Sequence, residues 1–262
     1  MKVHYMSDIH LEFDAMDQLP SGEVLILAGD ITAAACLSPD IQDSRKQRVR
    51  SATLRFFEQA RKNFDTILYV GGNHEPYGLD IDESQTLIER HLGGDGVYYL
   101  ENKAATIDGV TFLGATLWTD MNNGDSSSER YVGLGLTDFH VISAGGRRFT
   151  PRHAIARHQA SLEFLKRELT ARVQQSVVVI THHAPSYQGM TDRFRRTPVA
   201  PGFASDLDDF IVAHPQVSDW VFGHTHIVKT FRIGETTLRT NCRGYIGREQ
   251  TGFHLDAHFD AG

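Results

Sequence analysis

Short apolar, β-branched runs recur along the chain, each closed by polar residues or glycine: Val3–Met6, Val24–Ala28, Thr66–Val70, Val177–Thr181 and Trp220–Phe222. Runs of this length suit buried strands. Between them, apolar residues return every three or four positions. Asp40–Asn63 sets Ile41, Val49, Leu54, Phe56, Phe57 and Ala60 among many charges, and Ile81–Leu92, Thr150–Val173 and Ala204–His214 read as helices in the same way. Strand and helix in alternation predict parallel strands. Two other stretches predict hairpins: Ala104–Ile107 with Val110–Leu117 around Asp108-Gly109, and Lys229–Ile233 with Thr236–Thr240 around Gly234-Glu235. Phe253–Phe259 alternates and is predicted as a last strand, and Asn122–Ser128 as an exposed loop tip. Two packed mixed sheets covered by helices accommodate both kinds of unit. No repeat or linker divides the chain, so a single domain over 1–262 is expected.

The informative polar residues sit just past the strands. Asp8 and His10 follow the first, Gly29-Asp30 the second, Gly71-Gly72-Asn73-His74-Glu75 the third, His182-His183 the fourth and Gly223-His224-Thr225-His226 the fifth. In open α/β sheets, ligands bind at the carboxyl ends of strands, so the five groups can converge. Imidazole with carboxylate suits Zn, Mn, Fe or Ni better than Mg or Ca. Asp8, His10, Asp30, Asn73, His182, His224 and His226 are too many for one tetrahedral ion and fit two ions sharing a bridge, with Asp30 or Asp8 as the bridging carboxylate. Two divalent ions against two aspartates leave a charge of about +2, which attracts a phosphate ester.

Composition narrows this. With 26 Lys+Arg against 33 Asp+Glu, the net charge is -7, which disfavours long nucleic acid and anionic membranes. No apolar run approaches the roughly 20 residues of a membrane span. Two cysteines, Cys36 and Cys242, and no apolar leader after Lys2 point to a reducing cytoplasm. Of the 14 histidines, His4, His91, His140, His153, His158, His214, His254 and His258 are expected to be structural.

The set Asp8-x-His10, Gly29-Asp30, Gly72-Asn73-His74-Glu75, His182 and Gly223-His224-x-His226 resembles the calcineurin-like metallophosphoesterase superfamily over residues 8 to 226. The resemblance implies a four-layer αββα sandwich with a dinuclear metal site at the strand carboxyl ends. It implies one metal on Asp8, His10 and His226, a second on Asn73, His182 and His224, and Asp30 as the bridge. It further implies that a metal-bridging hydroxide attacks phosphorus while His74 stabilises the phosphate and protonates the leaving oxygen. Imidazole suits that role independently, because an alkoxide needs a proton to depart.

Substrate contacts are expected from the loop carrying Arg193, Arg195 and Arg196, from Arg243, from Tyr77 beside His74, and from His183, which otherwise backs His182. Trp118 is another candidate wall, and 119–149 is a candidate lid. The expected activity is hydrolysis of small phosphate esters, diesters over monoesters. The alternatives are a phosphomonoesterase or protein phosphatase with the same site, a nuclease, and a scaffold that has lost catalysis. The substrate, the metals, a protein partner and the oligomeric state are not written in the sequence.

Overall fold

The computed structural model describes residues 1–173 and 175–262. One sheet holds β1 (Lys2–Met6), β2 (Gly22–Ala28), β3 (Phe64–Val70) and β4 (Val97–Tyr99), all parallel, with β13 (His258–Asp260) antiparallel to β1 at the edge. The other runs β11-β12-β10-β9-β6-β5. Its centre is parallel: β6 (Val110–Ala115), β9 (Val177–Thr181), β10 (Val217–Phe222) and β12 (Thr236–Asn241). Antiparallel hairpin partners, β5 (Lys103–Ile107) and β11 (Val228–Ile233), close its two edges. A small hairpin, β7 (Ser143–Ala144) with β8 (Arg147–Arg148), lies apart.

Alternation along the strands explains the layers. Val24, Ile26 and Ala28 of β2 meet Val178 and Ile180 of β9 in a core between the sheets. Leu25 and Leu27 point the other way, against Phe56 and Phe57 of α1 (Ser44–Asn63) and Ile88 of α2 (Ile81–Leu92). On the far side, Val177 and Val179 pack on Phe164, Leu165 and Leu169 of α6 (Pro151–Thr170). The result is an αββα sandwich of two mixed sheets, as the sequence pattern predicts. Successive residues on a buried strand serve two different cores, which is why these strands read as unbroken apolar runs.

Three local expectations differ. Of Phe253–Phe259 only His258 and Phe259 join a sheet, as the start of β13; Asn241 instead takes the main chain of His254 through its side-chain amide, Nδ2 donating to the carbonyl and Oδ1 accepting from N–H. The Asn122–Ser128 stretch is largely exposed, but it contains a helix start. Asp125 caps α4 (Ser126–Gly135) by accepting from Ser128 N at 2.7 Å, after the left-handed turn α3 (Met121–Gly124). The predicted helix Ala204–His214 shrinks to α8 (Asp208–Val212).

The 119–149 segment carries α3, α4 and α5 (Asp138–Val141) and is fixed by its own core. Met121, Val132, Phe139, Ile142 and Phe149 pack there with Trp118. Trp118 is 2% exposed in that core, so it does not face a ligand as expected.

Candidate metal centre

The βα and ββ turns at the carboxyl ends of β1, β2, β3, β9 and β10 bring the seven singled-out ligand candidates together. Asp8, His10, Asp30, His224 and His226 all adopt left-handed backbone, with φ between 48° and 67°. Such conformations cost roughly 1–3 kcal/mol each outside glycine and persist where surrounding structure enforces them. The enforcement is visible. Asp8 N–H donates to the Gly29 carbonyl and His10 N–H to that of Asp30. The Asp8 carboxylate accepts the His224 N–H, joining the two sheets. Asp30 Oδ1 accepts the His74 N–H at 2.8 Å. Gly72 leaves room for this packing, since a Cβ there would lie 2.2 Å from Asp30 Oδ1.

Glu75 holds the turns after β2 and β3 together. Its buried carboxylate accepts from the N–H groups of Asp30, Ile31 and Gly72 and from the Tyr69 hydroxyl. Burial and the neighbouring Asp30 push its pKa up to about 7.

Two groups of acceptors result. In the first, His226 Nε2 lies 3.2 Å from His10 Nε2 and 3.3 Å from Asp8 Oδ1. The other ring nitrogens face carboxylates: His10 Nδ1 faces Glu12 Oε1 at 3.2 Å, and His226 Nδ1 faces Glu249 Oε2 at 2.7 Å. Each Nδ1 therefore donates, leaving lone pairs on both Nε2 atoms. In the second group, His182 Nδ1 donates to the Ala28 carbonyl, and its Nε2 meets Asn73 Oδ1 at 2.9 Å and His224 Nδ1 at 3.1 Å. Asp138 fixes the Asn73 amide by accepting from its Nδ2 at 2.8 Å. Asp30 spans both groups, with Oδ1 3.4 Å from His182 Nε2 and Oδ2 3.9 Å from His10 Nε2.

Lone pairs thus converge on lone pairs at two adjacent points, and only cations resolve that. In the protein alone, protons are the cations. Burial opposes charge on His182 and His226, but Asp30 raises the first to about 9, and Asp8 with Glu249 raise the second to about 10. His224 goes the other way, to about 3, through burial and the adjacent His182. Its buried Nε2 has no hydrogen-bond partner among the described residues, as fits a ring whose Nδ1 is the working atom. The donor set, nitrogen with carboxylate oxygen and no thiolate, fits two transition-metal ions. Asp8, His10 and His226 bring ligand atoms within 4.8 Å of one another, as do Asp30, His182 and His224.

His74 stands beside these groups. Its Nδ1 contacts Glu12 Oε1 at 2.9 Å, and its Nε2 lies 3.9 Å from Asp30 Oδ2 and 3.3 Å from the Tyr245 hydroxyl. Burial disfavours its charge, yet Asp30 and Glu12 raise its pKa to about 9. Tyr77 stacks on it at 4.2 Å and donates to Asp138 at 2.6 Å.

The other expected substrate contacts fare differently. Tyr77 lines the adjoining cleft. Arg243 does not: its guanidinium donates to the carbonyls of Ile9, Asp14 and Ala15 and to the Asp14 carboxylate, bracing the loop that carries Glu12. Arg195 and Arg196 are exposed on and just after α7 (Asp192–Arg195), and Arg195 pairs with Asp192 at 3.0 Å. That short helix turns Thr191 and Phe194 toward the cleft instead. His183 is 1% exposed, accepts no solvent contact, and packs between Trp118 and His224, with Nδ1 on the Thr116 carbonyl. It backs His224.

Sequence reasoning missed Glu12, Asp138, Glu249 and Tyr245. Glu12 had a local signal, being two residues beyond His10 as His10 is beyond Asp8. Tyr245 lies two residues from Arg243, the side chain singled out there, while Asp138 and Glu249 approach from distant segments with nothing nearby to mark them.

Comparison with known proteins agrees with the geometry. The sequence model for calcineurin-like phosphoesterases matches residues 1–228. An uncharacterized protein of Acanthamoeba polyphaga mimivirus is 24% identical over 98% of this chain and 96% of its own length. Among solved structures, the phosphopantetheinyl hydrolase of Mycobacterium tuberculosis superposes with a TM-score of 0.64 at 17% identity, over 93% of this chain and 89% of that one. A dimetal phosphatase of Danio rerio gives 0.53 at 13% identity, over 94% and 88%. The chain belongs to the calcineurin-like phosphoesterase family, whose members depend on a dinuclear metal centre, and is a metal-dependent phosphoric ester hydrolase.

The protonation pattern predicts how metal-free protein responds to pH. His74, His182 and His226 have raised folded pKa values. Each contributes stability that is complete below pH 6.5 and lost as pH climbs through about 9 to 10. His183 and His224 are lowered, so their contribution is present above pH 6.5 and fades on acidification. Urea midpoints of chelator-stripped protein should therefore peak near pH 6.5. A midpoint that climbs steadily from there to pH 9.5 would show that the three histidines hold no extra protons.

Proposed function

We propose that this chain hydrolyses small phosphodiesters, with two divalent transition-metal ions (Mn, Fe, Zn or Ni) at the two acceptor groups and His74 as general acid. The observation that carries the reading is the pair of acceptor clusters, shared by Asp30 and flanked by a carboxylate-held His74. Asp8, His10 and His226 would hold one ion, Asn73, His182 and His224 the other, and Asp30 both. Bound there, the ions supply Lewis acidity toward the phosphoryl oxygens and lower the pKa of a nucleophilic water.

The chain's own groups do the rest. Glu12 holds Nδ1–H of His74, which leaves Nε2–H facing the cleft. The proton on Nε2 passes to the departing oxygen, and the Nδ1–H bond to Glu12 keeps the ring aimed throughout. Tyr245, whose pKa burial and Asp30 raise, stays a neutral phenol and offers a hydroxyl beside Nε2 for a phosphoryl oxygen.

Charge favours the diester. Besides Asp8 and Asp30, the structure sets Glu12, Asp138 and Glu249 on the ligand and acid side chains. Two divalent ions (+4) and five carboxylates sum to about -1, and a proton on His74 brings the centre to about zero, rather than the +2 read from the sequence alone. A centre near neutrality suits a monoanionic diester over a dianionic monoester. Cys36 and Cys242 are free and buried, in keeping with a reducing cytoplasm, and no helix among the described residues is long and apolar enough to cross a membrane.

One observation favours the nuclease as a second reading. A groove of about 700 Å³ runs along α1, lined by Arg45, Arg48 and Arg55, with Glu12 and Phe13 at its margin. The deciding experiment compares kcat/KM for a small aryl diester, the matching monoester and a single-stranded oligonucleotide from 50 to 300 mM salt, taken as roughly a two- to threefold change in screening length. The diester should lead by about tenfold with weak salt dependence. A leading monoester would end the diesterase assignment, and a leading oligonucleotide whose rate collapses with salt would install the nuclease.

Metal content separates binding from chemistry. Asp30→Ala should lose both ions by elemental analysis, whereas His226→Ala should chiefly lose one. Full occupancy of a single ion in wild-type protein would sink the two-metal arrangement.

His74→Asn should keep both ions and lose turnover by about 10²–10⁴-fold, more for an alkyl than for a nitrophenolate leaving group, which departs without a proton. Equal losses on the two would remove His74 from the acid role.

A further inference from the structure

We propose that the cleft beside the candidate metal centre is a subsite for an uncharged aromatic or apolar ester group, so that the substrate joins one phosphoryl charge to a flat apolar body. The inference deepens the phosphoesterase reading above and rests on it.

The cleft measures about 450 Å³, within the range of small-molecule sites, roughly 300–1,000 Å³. It begins at Asp30, Asn73 and His74 and continues between apolar walls: Phe194 and Phe203 from the loop after β9, Leu136 from the end of α4, and Ile227. The aromatic wall is pre-set. Phe203 stacks on His224 at 4.5 Å and 25°, and Phe194 meets Phe203 edge-on at 4.6 Å and 84°. A ring entering beside them finds neighbours already oriented, which limits the ordering cost of binding.

The charges along the cleft exclude a different substrate body. Among the described residues no lysine or arginine lines it; its charged groups outside the proposed ligands and His74 are the carboxylates Asp138 and Glu249. A second phosphate would meet carboxylates with no cation to pair with. The loop's arginines show the same division of labour. Arg193, Arg195 and Arg196 are exposed, while Phe194 from the middle of that run faces inward. The motif that reads in sequence as a phosphate clamp delivers its ring to the cleft and its guanidinium groups to water.

The test uses metal-reconstituted protein and three 4-nitrophenyl phosphodiesters that share one leaving group. The second ester group is methyl, phenyl, or 2-phosphoethyl. The phenyl ester should exceed the methyl ester in kcat/KM by about tenfold to a hundredfold, the scale expected for burying several ring carbons. The phosphoethyl ester should fall below both. In Phe194→Ala the phenyl-to-methyl ratio should drop to within about threefold of unity. Equal wild-type rates for phenyl and methyl would overturn the proposal. So would a leading phosphoethyl ester, which would move recognition to the arginine groove along α1. If none of the three is cleaved, the phosphodiesterase reading has failed and calorimetry decides the subsite separately. Phenylphosphonate binding at least tenfold tighter than methylphosphonate keeps it, and equal affinities remove it.

Discussion

The architecture of the centre turns on one constraint: seven lone-pair donors must be held facing one another inside a protein, where they repel. Backbone hydrogen bonds to carboxylates do the holding. Glu75 ties the turns after β2 and β3 into one unit through four donors, and Asp8 ties the turn after β10 in the second sheet to the end of β1 in the first. These bonds are what keep five non-glycine residues in left-handed backbone. They also explain why the glycines beside them are so tightly placed. A Cβ on Gly29 would lie 2.3 Å from His182 Nδ1, so the turn after β2 and the ring from β9 occupy space that only glycine leaves open. Strain is stored on the side of the ions, and the two sheets supply the rigidity that contains it.

Outside the ligands runs a ring of carboxylates with two effects at once. Glu12, Glu249 and Asp138 fix which atom of His10, His74, His226 and Asn73 faces inward, so the tautomers are set before any ion arrives. The same groups lower the local charge. On the proposed diesterase reading, orientation and substrate charge are therefore coupled: a replacement that keeps the geometry but removes a carboxylate is expected to shift the balance from monoanion toward dianion. Glu12 is central to this, because a single oxygen serves both His10 and His74. Arg243 donates to four acceptors at residues 9, 14 and 15 and so braces the loop that carries that oxygen.

The strands, the two-sheet layering and the convergence of strand-end residues were legible because each depends on local pattern: alternation, a β-branched run, a polar residue immediately after it. What stayed hidden depends on distance. Asp138 reaches Asn73 across 65 positions and Tyr245 reaches His74 across 171. Asp138 sits in no run that looks like chemistry, and Tyr245 stands two residues from one that does. Arg243 and the Arg193–Arg196 run did look like chemistry, and misled for a common reason. Residue type reports what a side chain is able to bind, while the backbone direction that decides what it does bind is set by a turn or a single helical turn. His183 was legible in part, since adjacent residues at a strand end point to opposite sides: it meets His182 edge-on and packs on His224 from behind, away from the cleft.

That division has a consequence for how function is read in this fold. The groups that perform the chemistry lie at strand ends, where the topology of two sheets dictates their positions and the family resemblance carries over residue by residue. The walls of the cleft come from elsewhere. Leu136, Thr137 and Asp138 belong to a segment with its own small core, and Phe194 and Phe203 to a long connection after β9. Most of these wall residues can change without disturbing the turns that carry the acceptor clusters, because Glu75 and Asp8 hold those turns. Phe203 and Asp138 are the exceptions: Phe203 stacks on His224, and Asp138 orients Asn73. Through Asp138 the segment that shapes the substrate's body is bonded to the centre that would hold its phosphate, so changes in that wall are expected to alter reactivity as well as selectivity.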